Sequence, residues 1–205
     1  EAELKWSPQI NEKDIAVKVN DGEVTFTGFT GTYYEKYQAG VVARRVEGVA
    51  AIANDIQVKP IAGSPTDPEI ARAALAALKL ALPFTWEQIQ PTVTQGRVSL
   101  DGKVEWQFQR EEAESAVRHL HGVISVQNSI LIKPRVAPEN IKHRIEDAFR
   151  RNAVVDAKRI SVDANGSEIT LQGEVRSWAE RDQAQQTAWS APGVSNVKNT
   201  LTVRT

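Results

Sequence analysis

Cysteine is absent from the sequence, and so is methionine. Without thiols the chain can form neither a disulfide nor a thiolate metal site, so apolar packing has to stabilise it. The three histidines are His119, His121 and His143, and none of them forms the i, i+4 pair that zinc motifs place on one face of a helix. We therefore predict no metal site and no cofactor.

An excess of charge of one sign is also lacking, because 25 basic side chains face 26 acidic ones. This balance removes the positive field of a general nucleic-acid binder, so we predict no nucleic-acid partner. The chain contains neither an apolar run as long as a membrane span nor a recognisable signal peptide. From the residues alone, the localisation stays open.

Motifs for catalysis are missing as well. The sequence has no phosphate-binding Gly-x-x-x-x-Gly-Lys loop, no Gly-x-Ser-x-Gly elbow and no dinucleotide fingerprint. Its carboxylates are scattered and do not repeat, whereas an active site on a repeated fold would require one special copy. We predict no catalytic residues and a protein that is not an enzyme.

What the sequence does contain is one pattern written three times, with a period of about 70 residues. Two glycines and an asparagine mark each copy: Gly28, Gly48 and Asn54; Gly102, Gly122 and Asn128; Gly173, Gly193 and Asn199. A period this long indicates small domains rather than the units of a solenoid. We predict three domains, at residues 1–62, 63–135 and 136–205. They are joined by short connectors, at 60–65 and 134–137, that proline partly stiffens.

Each copy predicts a hairpin followed by a helix and a third strand. In the first copy Ile15, Val17 and Val19 alternate before the turn signal Asp21-Gly22, and apolar residues alternate again after it. Pro91 falls in the first strand of copy two, which predicts a sheet edge and places the second strand in the centre. The connection from a strand through a helix to a further strand should be parallel and right-handed.

A leading helix completes the second and third copies. In copy two Asp67 is predicted to cap it and Pro68 to open it, and in copy three Pro138 takes the opening position. The fold class is therefore α+β, with three tandem α-β-β-α-β domains. Each is predicted to be a sandwich in which two helices cover one face of a three-stranded mixed sheet.

The first copy lacks most of its leading helix. Leu4 aligns with Leu78, so the chain starts near the last turn, and about ten residues of the helix are missing. We expect the natural polypeptide to be longer, and the origin of the truncation stays open. We also expect another domain or another molecule to cover the sheet surface that this helix would cover.

The repeated motif resembles the BON domain family (bacterial OsmY and nodulation). It consists of a turn-Gly-x-Val-x-Leu-x-Gly hairpin, an alanine-rich helix, Gly-Val and an asparagine-containing strand. The hairpin stands here at 21–28 and 95–102, and at 166–173 with one inserted residue. The resemblance implies non-enzymatic bacterial domains of osmotic-shock and cell-envelope proteins, some of which bind phospholipid surfaces. It favours the periplasm or envelope, and a cytoplasmic location stays possible.

Aromatic and basic residues cluster where the second helix of each copy begins. The candidates for lipid or partner binding are Tyr33, Tyr34 and Lys36; Trp106, Phe108 and Arg110; and Trp178 and Arg181. Against a phospholipid surface the rings would enter the headgroup layer while the cations and free helix N–H groups meet phosphate. Predicted capping boxes, Thr32 with Glu35 and Ser177 with Glu180, already use part of those N–H groups. Alternatively, the aromatic residues pack helix on sheet or domain on domain.

The repeated asparagines are interpreted as structural, because asparagine satisfies backbone groups locally and all three copies share the residue. We predict that the protein is a non-catalytic binding protein associated with the bacterial envelope and with osmotic stress. Its partner would be a phospholipid surface or another envelope protein. The alternative is a protein-interaction scaffold without lipid binding, one that self-assembles as a homo-oligomer through edge strands and the uncovered face of domain 1.

Overall fold

A computed structural model describes residues 2–59, 63–133 and 140–204 of this protein. Residues 60–62 and 134–139, which include half of the first predicted connector, all of the second and the predicted helix opener Pro138, lie outside the described residues. The Cα positions divide into two compact units. One contains the described residues up to 104 together with 108–131, and the other contains 105–107 and the residues from 132 onwards.

Domain 1 is a three-stranded sheet with a short and a long helix. Its elements are α1 (Ala2–Trp6), β1 (Ile15–Asn20), β2 (Glu23–Thr30), α2 (Tyr33–Ala43) and β3 (Ala51–Val58). The strand order is β1-β2-β3, with β1 antiparallel and β3 parallel to the central strand. The five-residue α1 still buries Leu4, which agrees with its alignment to the last turn of a longer helix.

Domain 2 has the full set of elements. These are α3 (Asp67–Ala81), β4 (Ile89–Thr94), β5 (Arg97–Val104), α4 (Gln107–Arg118) and β6 (Ser125–Ile132). The order β4-β5-β6 places Pro91 in an edge strand, as predicted. One detail of the prediction was wrong: Thr66, not Asp67, caps α3, through a capping box with Glu69.

Domain 3 repeats the arrangement with an interrupted last strand. It consists of α5 (Ile141–Arg151), β7 (Ile160–Asn165), β8 (Glu168–Val175), α6 (Trp178–Trp189), β9 (Asn196–Asn199) and β10 (Thr202–Val203). Both β9 and β10 run parallel to β8, so together they take the place of β3. The predicted α+β fold of three tandem domains is confirmed.

The core of each domain lies between the sheet and its helices. Phe26, Leu100 and Leu171 occupy the same position of the central strand, and each is 2% exposed or less. Opposite them the second helix carries Ala39, Ala113 and Ala184, all fully buried. Because alanine has a small side chain, the helix can approach the sheet closely, and larger residues would hold it away.

A glycine near the end of each central strand is required by a close backbone approach. Gly28, Gly102 and Gly173 have φ values of 118°, 145° and 130°, where residues with a side chain are strained. A Cβ at Gly102 would also collide with the carbonyl oxygen of Gln88, just before β4. The glycine therefore lets the first strand begin directly against the second.

We predict that Gly102→Ala destabilises domain 2 by more than about 2 kcal/mol, because it combines backbone strain with a collision against backbone. Urea unfolding measures the change. Gly31→Ala is the control, since an added Cβ there would meet only the flexible Glu35 side chain at 3.7 Å. Equal stability of the two variants would contradict the close-approach explanation.

Candidate functional site

One asparagine in each domain ties the second helix to the last strand. In domain 2, Asn128 Nδ2 donates to the carbonyl oxygen of Arg110 at 2.9 Å, and Asn128 Oδ1 accepts from the amide of Ile130 at 3.2 Å. Asn54 makes the equivalent bonds to the Lys36 carbonyl and the Ile56 amide. Asn199 pairs likewise with Arg181 and Leu201. These bonds agree with the structural role predicted for the asparagines.

The two candidate arginines bind the same last strand. Arg110 Nη2 donates to the Asn128 carbonyl at 3.3 Å. Arg181 donates twice, from Nη2 to the Asn199 carbonyl at 3.0 Å and from Nε to the Leu201 carbonyl at 3.1 Å. The Arg181 guanidinium also lies 5.2 Å from the centre of the Trp178 ring. Both arginines therefore spend part of their hydrogen-bonding capacity on their own domain.

At the start of α6 a buried carboxylate accepts hydrogen bonds from backbone amides. Glu180 is 3% exposed and accepts from the amides of Arg176 and Asp156, both at 2.8 Å. Burial alone would raise the pKa of Glu180, but these hydrogen bonds and the Arg176 side chain lower it below its usual value. The predicted capping box is only half formed: Ser177 Oγ accepts from the Glu180 amide, but the Ser177 amide is not seen to donate to the Glu180 carboxylate in the described structure.

In domain 1 the box formed by Thr32 and Glu35 is complete. The tyrosines in the first turns of α2 contact domain 2. The rings of Tyr34 and His119 have centroids 4.1 Å apart, and the Arg118 guanidinium lies 3.6 Å from the centre of the Tyr37 ring. Burial, reinforced by the Glu114 carboxylate, raises the pKa of the Tyr33 phenol. The structure thus places Tyr33 and Tyr34 between two domains, which was the alternative interpretation of these aromatics.

Domain 2 exposes its candidate aromatics. Trp106 is 36% exposed and Phe108, in the first turn of α4, is 61% exposed. Lys36 at the start of α2 is half-buried and contributes its carbonyl to the bond with Asn54. Of the eight candidates, only Trp106 and Phe108 are large apolar residues with exposed side chains in the described part of the chain.

A second exposed group was missed by the sequence reasoning. Phe84 and Leu80 are 96% and 87% exposed, and Lys79 Nζ lies 4.3 Å from the centre of the Trp86 ring. Lys79 and Leu80 lie in the last turn of α3, and Phe84 and Trp86 lie between α3 and β4. Ile89 of β4 pairs with Gly102 of β5, which leads on to α4. We call this set, with Phe108, the apolar end of domain 2. The sequence signal that could have identified this group is Leu80, because it falls outside the row of apolar residues, four apart, that α3 buries and that ends at Leu78.

Within the described residues no group of three or more histidine and carboxylate side chains is arranged to hold a metal ion. Nor does any helix in the described ranges combine the length and apolar character needed to cross a bilayer.

Comparison with known protein families matches the BON domain at residues 1–60, 66–134 and 138–205. The chain belongs to the BON domain family. Its similarity to osmotically-inducible protein Y of Escherichia coli (strain K12) is 30% identity over 132 residues. That match covers 60% of this chain and 64% of the relative, less than two thirds of the relative's length.

Two solved structures of CdsD, a structural protein of the type III secretion system of Chlamydia trachomatis, also align with this BON chain. The first is 13% identical and the alignment covers 99% of this chain and 89% of CdsD. The second, of the C-terminal domain, is 11% identical with coverages of 100% and 94%. Both TM-scores are 0.28, which is too low to support any structural or functional argument.

We predict that Glu180→Gln destabilises BON domain 3 by about 1–3 kcal/mol at neutral pH, because the charged acceptor of two amides is lost. Since the folded pKa is lowered, the carboxylate stabilises the domain above the unfolded pKa, and this stabilisation disappears as the pH falls towards the folded value. Hydrogen exchange of residues 160–175, measured between pH 7 and pH 3, reports the difference. The difference in hydrogen exchange between Glu180→Gln and the wild type should become smaller as the pH falls.

The control for Glu180 is Glu168→Gln, which changes an exposed carboxylate in the same domain. We expect its exchange to follow the wild type throughout. A pH-independent gap between Glu180→Gln and the wild type would contradict the role of the charge.

For the contact between BON domains 1 and 2, we predict that Arg118→Ala accelerates amide exchange in α2. The variant removes the cation from the Tyr37 ring, an interaction of about 0.5–2 kcal/mol. Because Arg118 also pairs with Glu114 inside α4, Tyr37→Leu should be measured in parallel. Arg72→Ala, on the exposed side of α3, is the control. Unchanged exchange in α2 for both Arg118→Ala and Tyr37→Leu would contradict the contact.

Proposed function

We propose that this BON protein is a non-catalytic binding protein of osmotic stress in the bacterial envelope, and that it associates with phospholipid surfaces. The observation that carries the proposal is the apolar end of domain 2, where Phe84 and Leu80 are almost fully exposed beside Lys79. Large apolar side chains so exposed are costly in water, and a lysine among them suits an anionic surface.

The energetics favour weak and reversible attachment. Burying a phenylalanine or leucine side chain contributes about 1.5–3 kcal/mol. A lysine near an anionic surface adds about 1 kcal/mol. A single site of this size gives only modest affinity, and further contacts on the same chain would raise it by multivalency.

The candidate residues at the start of the second helix of each domain remain part of the proposal, but their expected contributions to lipid binding differ. Phe108 extends the proposed lipid contact of the apolar end, and Trp106 is a separate exposed candidate. Trp178 offers a ring, although its neighbour Arg181 is bonded to backbone carbonyls. Tyr33 and Tyr34, which contact domain 2, have less surface to offer a membrane.

Support for the remaining parts comes from the sequence and the comparisons. The non-catalytic assignment rests on the lack of catalytic motifs and on three domains built from the same structural residues. The envelope and stress assignments rest on the family resemblance and on the similarity to a protein named as osmotically inducible.

Flotation with liposomes tests the lipid contact. We predict that the wild type floats with vesicles of phosphatidylglycerol and phosphatidylcholine, and less with phosphatidylcholine alone, because Lys79 has no anionic partner there. Leu80→Ser/Phe84→Ser should lose most of the binding to both vesicles. Leu131→Ser is the matched control, since Leu131 of β6 is 58% exposed and alternates with the buried Ile130 and Ile132, so it lies on the sheet face away from the domain core.

A further variant, Trp106→Ala/Phe108→Ala, tests the helix entrance and should weaken flotation to a smaller extent. If Leu80→Ser/Phe84→Ser floats as well as the wild type, the apolar end is not the contact. If the wild type does not float with either vesicle, lipid association is wrong, and a protein-interaction scaffold becomes the better explanation.

A further inference from the structure

Domain 1 has a cleft of about 720 Å³ at the end of its sheet where β2 and β3 both finish. Asn11, Gly31, Glu35 and Lys59 are among the residues that line it. The strands β2 and β3 are parallel, and α2 connects them. In sheets with such connections, ligands bind in the crevice outside the carboxyl ends of the parallel strands. The cleft has both this position and a volume suited to a small ligand.

Domain 3 binds a carboxylate of its own at the equivalent place. The equivalent residues of domains 3 and 1 in the repeat are Asp156 and Asn11, Arg176 and Gly31, and Glu180 and Glu35. The Glu180 carboxylate accepts from the amides of Asp156 and Arg176, both at 2.8 Å. In this fold the two amides therefore form a pair that one carboxylate can bridge.

The Glu35 carboxylate of domain 1 makes different hydrogen bonds. Its Oε2 atom accepts from the amide of Thr32 at 3.1 Å and from the Thr32 hydroxyl at 3.0 Å, which completes the capping box of α2. The amides of Asn11 and Gly31 are not seen to donate to any acceptor within residues 2–59, 63–133 and 140–204. Both residues line the cleft, so the carboxylate of a ligand can take the place that Glu180 fills in domain 3.

Gly31 keeps this place accessible. In domain 3 the equivalent Arg176 side chain donates to Glu180 at 3.4 Å, and Glu180 is 3% exposed. Gly31 has no side chain to make such a contact. The backbone does not require glycine here, because Gly31 is not among the residues with positive φ and an added Cβ would meet only Glu35, at 3.7 Å. The absence of a side chain at this position therefore opens the cleft without serving the fold.

The charges of the lining indicate the class of ligand. Lys59 is exposed, its Nζ atom lies 3.2 Å from the centre of the Phe29 ring, and in the described part of the chain it forms no ion pair. Its ammonium group can pair with a ligand carboxylate. The lining also contains the carboxylates of Asp14 and Glu35, which would repel a plain anion. A ligand that carries a cationic nitrogen beside its carboxylate complements both signs.

We propose that the cleft of domain 1 binds a small zwitterion of the α-amino acid class. The ligand carboxylate accepts from the amides of Asn11 and Gly31 and pairs with Lys59. Its cationic nitrogen pairs with Glu35 and Asp14. This binding does not depend on the lipid contact of domain 2.

Nuclear magnetic resonance of the ¹⁵N-labelled full chain, titrated with glycine, tests the proposal. We expect saturable shifts of the Asn11 and Gly31 amide signals. N-acetylglycine keeps the carboxylate without the cation and stands for the carboxyl end of a peptide. Glycine methyl ester, at a pH that keeps its amine protonated, has the cation without the carboxylate. Each should bind at least about tenfold more weakly than glycine, because each loses one charged pairing.

Variants of the protein locate the site. Lys59→Gln should weaken glycine binding at least about tenfold, because it removes the cation while it keeps most of the side chain. Lys133→Gln is the matched control, since Lys133 is the exposed lysine at the equivalent position after β6, and it should bind as the wild type does. Glu35→Gln retains a residue that suits a capping box but removes the negative charge. It should weaken the binding of glycine and strengthen the binding of N-acetylglycine.

Three results would overturn the proposal. The first is a titration in which glycine leaves the Asn11 and Gly31 signals unshifted. The second is binding of N-acetylglycine as tight as that of glycine, which would assign the cleft to plain carboxylates such as the end of a peptide. The third is glycine binding that Lys59→Gln leaves unchanged while the amide spectrum shows that the variant is folded.

Discussion

A single asparagine amide in each domain holds the crossover helix on the last strand of the sheet, and the position of the candidate residues at the start of that helix depends on this bond. The side-chain amide donates to a carbonyl in the first turns of the helix, and its oxygen accepts from the strand two residues further on. One side chain thus satisfies backbone groups in two elements that are distant in sequence. Buried alanines, such as Ala113, allow the approach that this bond requires. The start of the helix is consequently fixed in relation to the strand ends, where all the candidate residues stand.

On this common frame each domain exposes something different. In domain 1 the start of α2 contacts domain 2, where Tyr34 packs on His119 and Tyr37 on Arg118. Domain 2 exposes large apolar residues at the end of α3. In domain 3 the buried Glu180 lies at the start of α6, where its carboxylate accepts hydrogen bonds from two backbone amides. The repeated residues therefore build the fold, and the residues that vary between the copies distinguish the surfaces.

The fold could be predicted from the sequence because its signals are local and occur three times. Alternating strands, the turn at Asp21-Gly22, and glycines at left-handed positions each specify a short piece of backbone, and Pro91 marks the edge strand. The candidate site was less predictable, since exposure depends on contacts between elements. Nothing local distinguishes Tyr34, which contacts His119, from Phe108, which faces solvent. Asp67 illustrates the same difficulty, because its carboxylate acts on a hairpin 28 residues away instead of on its own helix.

Pro91 has a consequence for how copies of this protein can meet. It pairs with Leu100 across the β4-β5 ladder, and because proline has no N–H, the outer edge of β4 lacks one of the donors that a further strand would need. Edge strands without such an interruption are templates for uncontrolled growth of a sheet from one molecule to the next. Domain 2 is thereby protected against aggregation along this edge. At high protein concentration, the outer edge of β4 is therefore a poor template for a sheet that grows from one molecule to the next.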